Sequence, residues 1–109
     1  MVKITRAVNT NYNNWKYTSL AVVSGNPAIS FQAGNGLWYV RANDADGTTW
    51  SSAQLIESVG SGTGGNCSLA VVDGRPAISY HDQYEGLKFV QANDGNGALW
   101  GTPITLDTG

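Results

Sequence analysis

The chain has 109 residues, a formal net charge of −2 and only 13% charged residues. That charge is too small to draw in nucleic acid or an anionic membrane surface, and no apolar run approaches the ~20 residues of a membrane span. Fourteen glycines beside many Val, Ile, Thr, Trp and Tyr residues favour strands over helices, and no long stretch carries apolar residues at helical spacing. The start, Met1-Val2-Lys3-Ile4-Thr5, lacks a signal-peptide core, so the expected location is the cytoplasm. Cys67 is the single cysteine, which rules out an intrachain disulfide and reads as a small packing residue.

In chain order, residues 1–18 are expected to form an N-terminal strand and a loop. Val2-Lys3-Ile4-Thr5-Arg6-Ala7 has the pattern of Pro103-Ile104-Thr105-Leu106-Asp107. It would either extend the edge of the chain's own first sheet or complete a sheet of a neighbouring subunit, as a clasp between chains. The loop that follows contains Tyr12, Asn14, Trp15 and Tyr17.

The next fifty residues recur. Ser19-Leu20-Ala21-Val22-Val23 returns as Ser68-Leu69-Ala70-Val71-Val72, and Pro27-Ala28-Ile29-Ser30-Phe31 as Pro76-Ala77-Ile78-Ser79-Tyr80. Ten of fourteen positions are identical across 19–32 and 68–81. After a one-residue insertion, eight of fifteen are identical across 36–50 and 86–100. Such internal periodicity is the sequence mark of a repeat architecture. Each copy breaks at turn residues into strands at 19–23, 27–32, 37–42 and about 49–57, and again at 68–72, 76–81, 87–92 and about 99–107. Both faces of these strands are partly apolar: Leu37 and Tyr39 on one side, Trp38 and Val40 on the other. A sheet wet on one face would alternate apolar with polar residues. The expected fold is therefore all-β, with residues 19–57 and 68–109 as two four-stranded antiparallel blades of a β-propeller and a Gly-rich linker at 58–67.

Two turns lead into the fourth strands: Asn43-Asp44-Ala45-Asp46-Gly47-Thr48-Thr49-Trp50 and Asn93-Asp94-Gly95-Asn96-Gly97-Ala98-Leu99-Trp100. Both resemble the Asp-box hairpin of sialidase-like propellers, with Gly47, Thr49 and Trp50 in register and the aspartates one place off. The whole repeat, over residues 19–107, is similar to those of uncharacterised bacterial propeller proteins. The resemblance implies that Asp44, Asp46, Gly47, Trp50, Asp94, Gly97 and Trp100 are turn and core residues on the face away from any ligand. Asp44-Ala45-Asp46-Gly47 also has the look of a calcium-loop start, but no closing carboxylate follows at loop spacing. No metal or cofactor is expected.

Propellers have four to eight blades, so two blades would be completed by cyclic association. Three copies would close six blades and four copies eight, making a homotrimer or homotetramer. Binding residues concentrate on loops held by a rigid scaffold. On one such face the amides and rings of Tyr12, Asn14, Trp15 and Tyr17 suit a carbohydrate or another polar ligand, and the second copy places His81, Asp82 and Tyr84 near the same face. His81 and Asp82 are adjacent on a strand and point oppositely, so they make a poor catalytic pair. Arg6, Arg41 and Arg75 do not form the arginine cluster of a sialidase. The expected function is a non-catalytic binding module. The alternatives are a structural or protein-interaction propeller without a small ligand and, less favoured, a sialidase-like glycoside hydrolase.

Overall fold

The computed structural model describes residues 16–33, 36–58, 66–82 and 85–107. Among the described residues eight strands form two four-stranded antiparallel meanders. The first holds β1 (Lys16–Val23), β2 (Asn26–Ala33), β3 (Gly36–Arg41) and β4 (Gln54–Ser58), and the second β5 (Cys67–Val72), β6 (Arg75–Asp82), β7 (Gly86–Gln91) and β8 (Ile104–Asp107). Among the described residues no helix is long and apolar enough to cross a membrane.

The shared residues build shared geometry. Val23 pairs with Asn26, and Val72 with Arg75, so each first hairpin turns in two residues. Ser24 (φ 49°) and Gly25 (φ 83°) are both left-handed, as are Asp73 (φ 57°) and Gly74 (φ 77°). Two consecutive positive-φ residues make the tight turn whose twist matches the flanking strands. The remaining pairings also correspond: Ala21 faces Ala28 as Ala70 faces Ala77, and Phe31 faces Trp38 as Tyr80 faces Lys88.

The fourth strands are shorter than the sequence suggests. Trp50 makes only an isolated bridge to Ala42, and Trp100 to Ala92. Regular pairing resumes at Gln54 and Ile104, the latter after Pro103, which has no N–H to give to a ladder. Both fourth strands carry a bulge. Leu37 pairs with Glu57 but Trp38 with Leu55, and Leu87 pairs with Asp107 but Lys88 with Thr105. The spare residues are Ile56 and Leu106. β1 begins three residues before the expected start at Ser19, and β5 takes in Cys67 from the expected linker. The expected N-terminal strand lies outside the described residues.

The core sits between the sheets. Val23, Ala28, Leu37 and Tyr39 of the first pack on Leu69, Ile78, Tyr80 and Val90 of the second, with Ala21, Ile56, Cys67 and Trp100 at the margin. Each large apolar side chain buried this way contributes about 1.5–3 kcal/mol before the entropy of ordering is charged against it. A smaller cluster of Phe31, Ala33 and Val40, with Ile29, Trp38, Trp50 and Ala53, lies on the other face of the first sheet.

Candidate functional site

At the hairpin end of the molecule the acidic turns are bonded to themselves. Asp44 accepts the Thr48 N–H at 2.8 Å and the Thr48 hydroxyl, while Asp94 accepts the N–H groups of Leu99 at 2.9 Å and Ala98 at 3.2 Å. These bonds hold both carboxyls below the usual aspartate range. The Thr48 hydroxyl and N–H act on Asp44, and the Leu99 N–H leads for Asp94. The Trp50 and Trp100 indole N–H groups donate to Gly47 and Gly97 carbonyls at 2.9 and 2.7 Å. The second turn also receives the first sheet. Tyr39 donates from its hydroxyl to the Asn96 carbonyl at 2.9 Å, and Gln54 Nε2 donates to the Gly97 carbonyl at 2.8 Å. Asp46 occupies the place in its turn that Asn96 occupies in the second.

The opposite end of the sheets holds the charged cluster. Glu57, near the end of β4, meets Tyr80 and Lys88 across the sheet–sheet junction. The Tyr80 hydroxyl donates to Glu57 Oε1, and Lys88 Nζ donates to Glu57 Oε2 at 2.9 Å and to Glu85 Oε1 at 2.5 Å. Asp82 joins the rim, accepting the Glu85 N–H at 3.1 Å. Lys88 is buried. Burial alone would lower its pKa, but the bonds to Glu85 and Glu57 outweigh it and the ammonium is held more firmly than usual. Tyr80 is pushed the other way from an ionisable phenol. Burial raises it first, then the bond to Glu57 and the neighbouring negative charges.

In the first sheet the same two cross-strand positions hold Phe31 and Trp38, stacked at 6.5 Å with planes 8° apart. One copy thus carries an aromatic stack where the other carries a tyrosine–lysine pair tied to a glutamate. A further polar group sits near this end. Gln32 is buried, and among the described residues neither its amide nitrogen nor its oxygen has a hydrogen-bond partner.

Of the residues expected at a ligand site, Tyr12, Asn14, Trp15 and Tyr84 lie outside the described residues. Tyr17 falls within β1. His81 and Asp82 close β6, His81 exposed and Asp82 buried, so the strand sends them to opposite faces. Glu57, Tyr80 and Lys88 were not anticipated as a group. Their signal was present in the departures between copies: Phe31 against Tyr80, Trp38 against Lys88 and Ala33 against Asp82. What no comparison of copies reveals is that Glu57 meets them across the junction.

Among the described residues no three His, Cys, Asp or Glu side chains gather where a metal ion could be held. At the rim of the cluster the Glu85 carboxylate is 56% exposed, whereas Asp82 is buried. Structurally, the chain is a pair of antiparallel meanders joined face to face, with a self-bonded turn at one end and a charged junction at the other. Compared with known proteins, it matches no family model, no curated sequence and no solved structure.

Proposed function

We propose that the chain is a non-catalytic β-propeller module, with each meander as one blade, and that further copies complete the ring. One observation carries this reading. The front of the first sheet packs on the back of the second; the second sheet's own front leaves Val72 and Leu87 exposed, and the first sheet's back leaves Leu20, Val22 and Leu55 exposed beside the buried Phe31 and Val40. Three copies would close six blades and four would close eight. A closed ring would repeat the Glu57–Lys88 end once per chain on one face. Repetition of a weak site around a ring gives avidity. The ligand class favoured by amides, rings and carboxylates is carbohydrate or a similar polar molecule.

The hydrolase alternative finds little support. A sialidase-like mechanism needs a tyrosine that can lose its proton, and the two tyrosines whose side chains are described, Tyr39 and Tyr80, are buried with phenols pushed above the usual range, by burial first. Glycan-array binding by the intact protein, with Trp15→Ala and a change at the exposed rim carboxylate, Glu85→Gln, as controls, tests the ligand reading. Binding that both substitutions weaken supports it. An array without signal leaves the module as a structural or protein-interaction propeller.

A further inference from the structure

The junction between the two sheets carries the instructions for a second junction. The front of the first sheet presents Ser19, Ala21, Val23, Ala28, Ser30, Leu37 and Tyr39, and the second sheet covers it. At the equivalent positions the front of the second sheet presents Ser68, Ala70, Val72, Ala77, Ser79, Leu87 and Phe89. Val23 and Leu37 are both 0% exposed, whereas Val72 and Leu87 are both 46% exposed. The backs show the converse. Leu69, against the first sheet, is 5% exposed, and its equivalent Leu20 is 68% exposed. Val22 and Leu55 are exposed on that same back, and Ile104 and Leu106 beside the open front. The chain therefore has one filled front-to-back contact, an open front on the second sheet, and a first-sheet back that is exposed at Leu20, Val22 and Leu55 while Phe31 and Val40 at its centre are each 4% exposed. Uncovered apolar faces of this kind seek a partner.

We propose that the open front of β5–β8 receives the back of β1–β4, at the exposed Leu20, Val22 and Leu55, of a second copy of this chain, continuing the pairing seen at the internal junction. The proposal rests on the propeller reading above and adds the residues and chemistry of the contact. Phe89 would take the place of Tyr39, against Gly47 and Trp50 of the next copy. Ser68 would accept the Leu20 N–H as Ser19 accepts that of Leu69 at 3.0 Å. Ser79 would face Thr18 as Ser30 faces Cys67, 3.4 Å away. The polar ties do not carry over. The Tyr39 hydroxyl becomes the bare ring of Phe89, Gln54 becomes Ile104, and the Tyr80–Lys88 pair that meets Glu57 becomes Phe31 and Trp38. Ser24, which donates to the Gly95 carbonyl at 2.8 Å, becomes Asp73, which has no proton to donate at neutral pH. The contact between copies is thus the more apolar and less hydrogen-bonded of the two. It is the one that opens on dilution, and its strength depends little on salt. A head-to-tail contact of this kind closes a ring rather than a back-to-back pair.

Cysteine pairing tests it. In a Cys67→Ser background, proteins carrying Thr18→Cys and Ser79→Cys separately are mixed and oxidised. The expected product is a disulfide-linked pair on a non-reducing gel, and neither protein alone forms it. Both substitutions in one chain should give a ladder that ends at the closed ring. Ser30→Cys in the native background is the control, expected to bridge internally to Cys67 without raising the mass. Leu87→Lys is the second probe, at a residue already exposed in the single chain. It should shift the native mass to that of one chain, 11.5 kDa, with the far-UV spectrum unchanged. An assembly that survives Leu87→Lys and yields no mixed pair would overturn this contact while leaving self-association intact. A native protein that is one chain at every concentration would overturn the propeller reading with it.

Discussion

The ring of Tyr39 stands edge-on to the indole of Trp100, with ring centres 5.0 Å apart and planes at 65°. This pair joins the two sheets at the hairpin end, and Gly97 makes room for it. A Cβ on Gly97 would lie 2.6 Å from the Tyr39 ring, whereas one on Gly47 meets nothing nearer than Pro27 at 3.3 Å. Both glycines have positive φ, 79° and 70°, so the backbone strain of Gly→Ala, about 1 kcal/mol, is common to both. Gly97→Ala is expected to cost about 3 kcal/mol in all and Gly47→Ala about 1 in a dilute single chain. Tyr39→Phe, losing the bond to Asn96, should cost about 1 kcal/mol. Urea denaturation ranks the three, and equal losses at Gly97 and Gly47 would contradict this packing.

The Lys88 cluster predicts a strongly non-additive pair. Lys88→Met leaves Glu57 half-buried with only the Tyr80 hydroxyl, at an expected cost of about 2 kcal/mol. Adding Glu57→Leu removes the stranded charge and should recover about half of that. A double-mutant cycle reads the coupling, and additive losses would show that the ion pair contributes nothing across the junction.

Gln32 runs against the usual direction of mutational effects. Its buried amide is unpaired among the described residues, and such a group costs about 1–3 kcal/mol. Gln32→Met is expected to raise thermal stability in the absence of ligand. A fall would mean that the amide gains a partner in solution.

Acid and alkali should act through different groups of the hairpin end. Asp44 and Asp94 are held below the ordinary 3.8. A carboxyl with a depressed folded pKa stabilises fully above the unfolded value and less as pH falls through the folded one. Stability is therefore expected to decline below about pH 4, with a flatter acid limb in Asp94→Asn. Tyr39 is pushed up from 10.0 to about 12, chiefly by burial. Its contribution is complete below pH 10.0 and is lost as pH rises toward 12. Tyrosine absorbance during alkaline titration should show a late component that Tyr39→Phe removes, and a uniform titration near pH 10 would refute its burial.

Much of the architecture was legible in the chain. Ser24-Gly25 and Asp73-Gly74 announced their hairpins because a tight turn demands left-handed residues there. Ala28 and Ser30 opposite Ile29 and Phe31 announced sheets with two apolar faces. The fourth strands are shorter than their composition suggests, because a run such as Thr48-Thr49-Trp50 has strand propensity yet bends to satisfy the Trp50 indole on Gly47. The charged junction was less legible still. Glu57 is 31 residues from Lys88, and their meeting depends on how one sheet lies on another. Gly97 looked like a turn residue, and its second task, admitting Tyr39, exists only once the sheets are packed.

The most direct test of the account is the native mass of the protein across a wide concentration range, by light scattering or native mass spectrometry. The account predicts three or four copies per particle, giving six or eight sheets in a closed ring, with dissociation to single chains on dilution. One chain per particle at all concentrations, or an open-ended series of sizes, would contradict it.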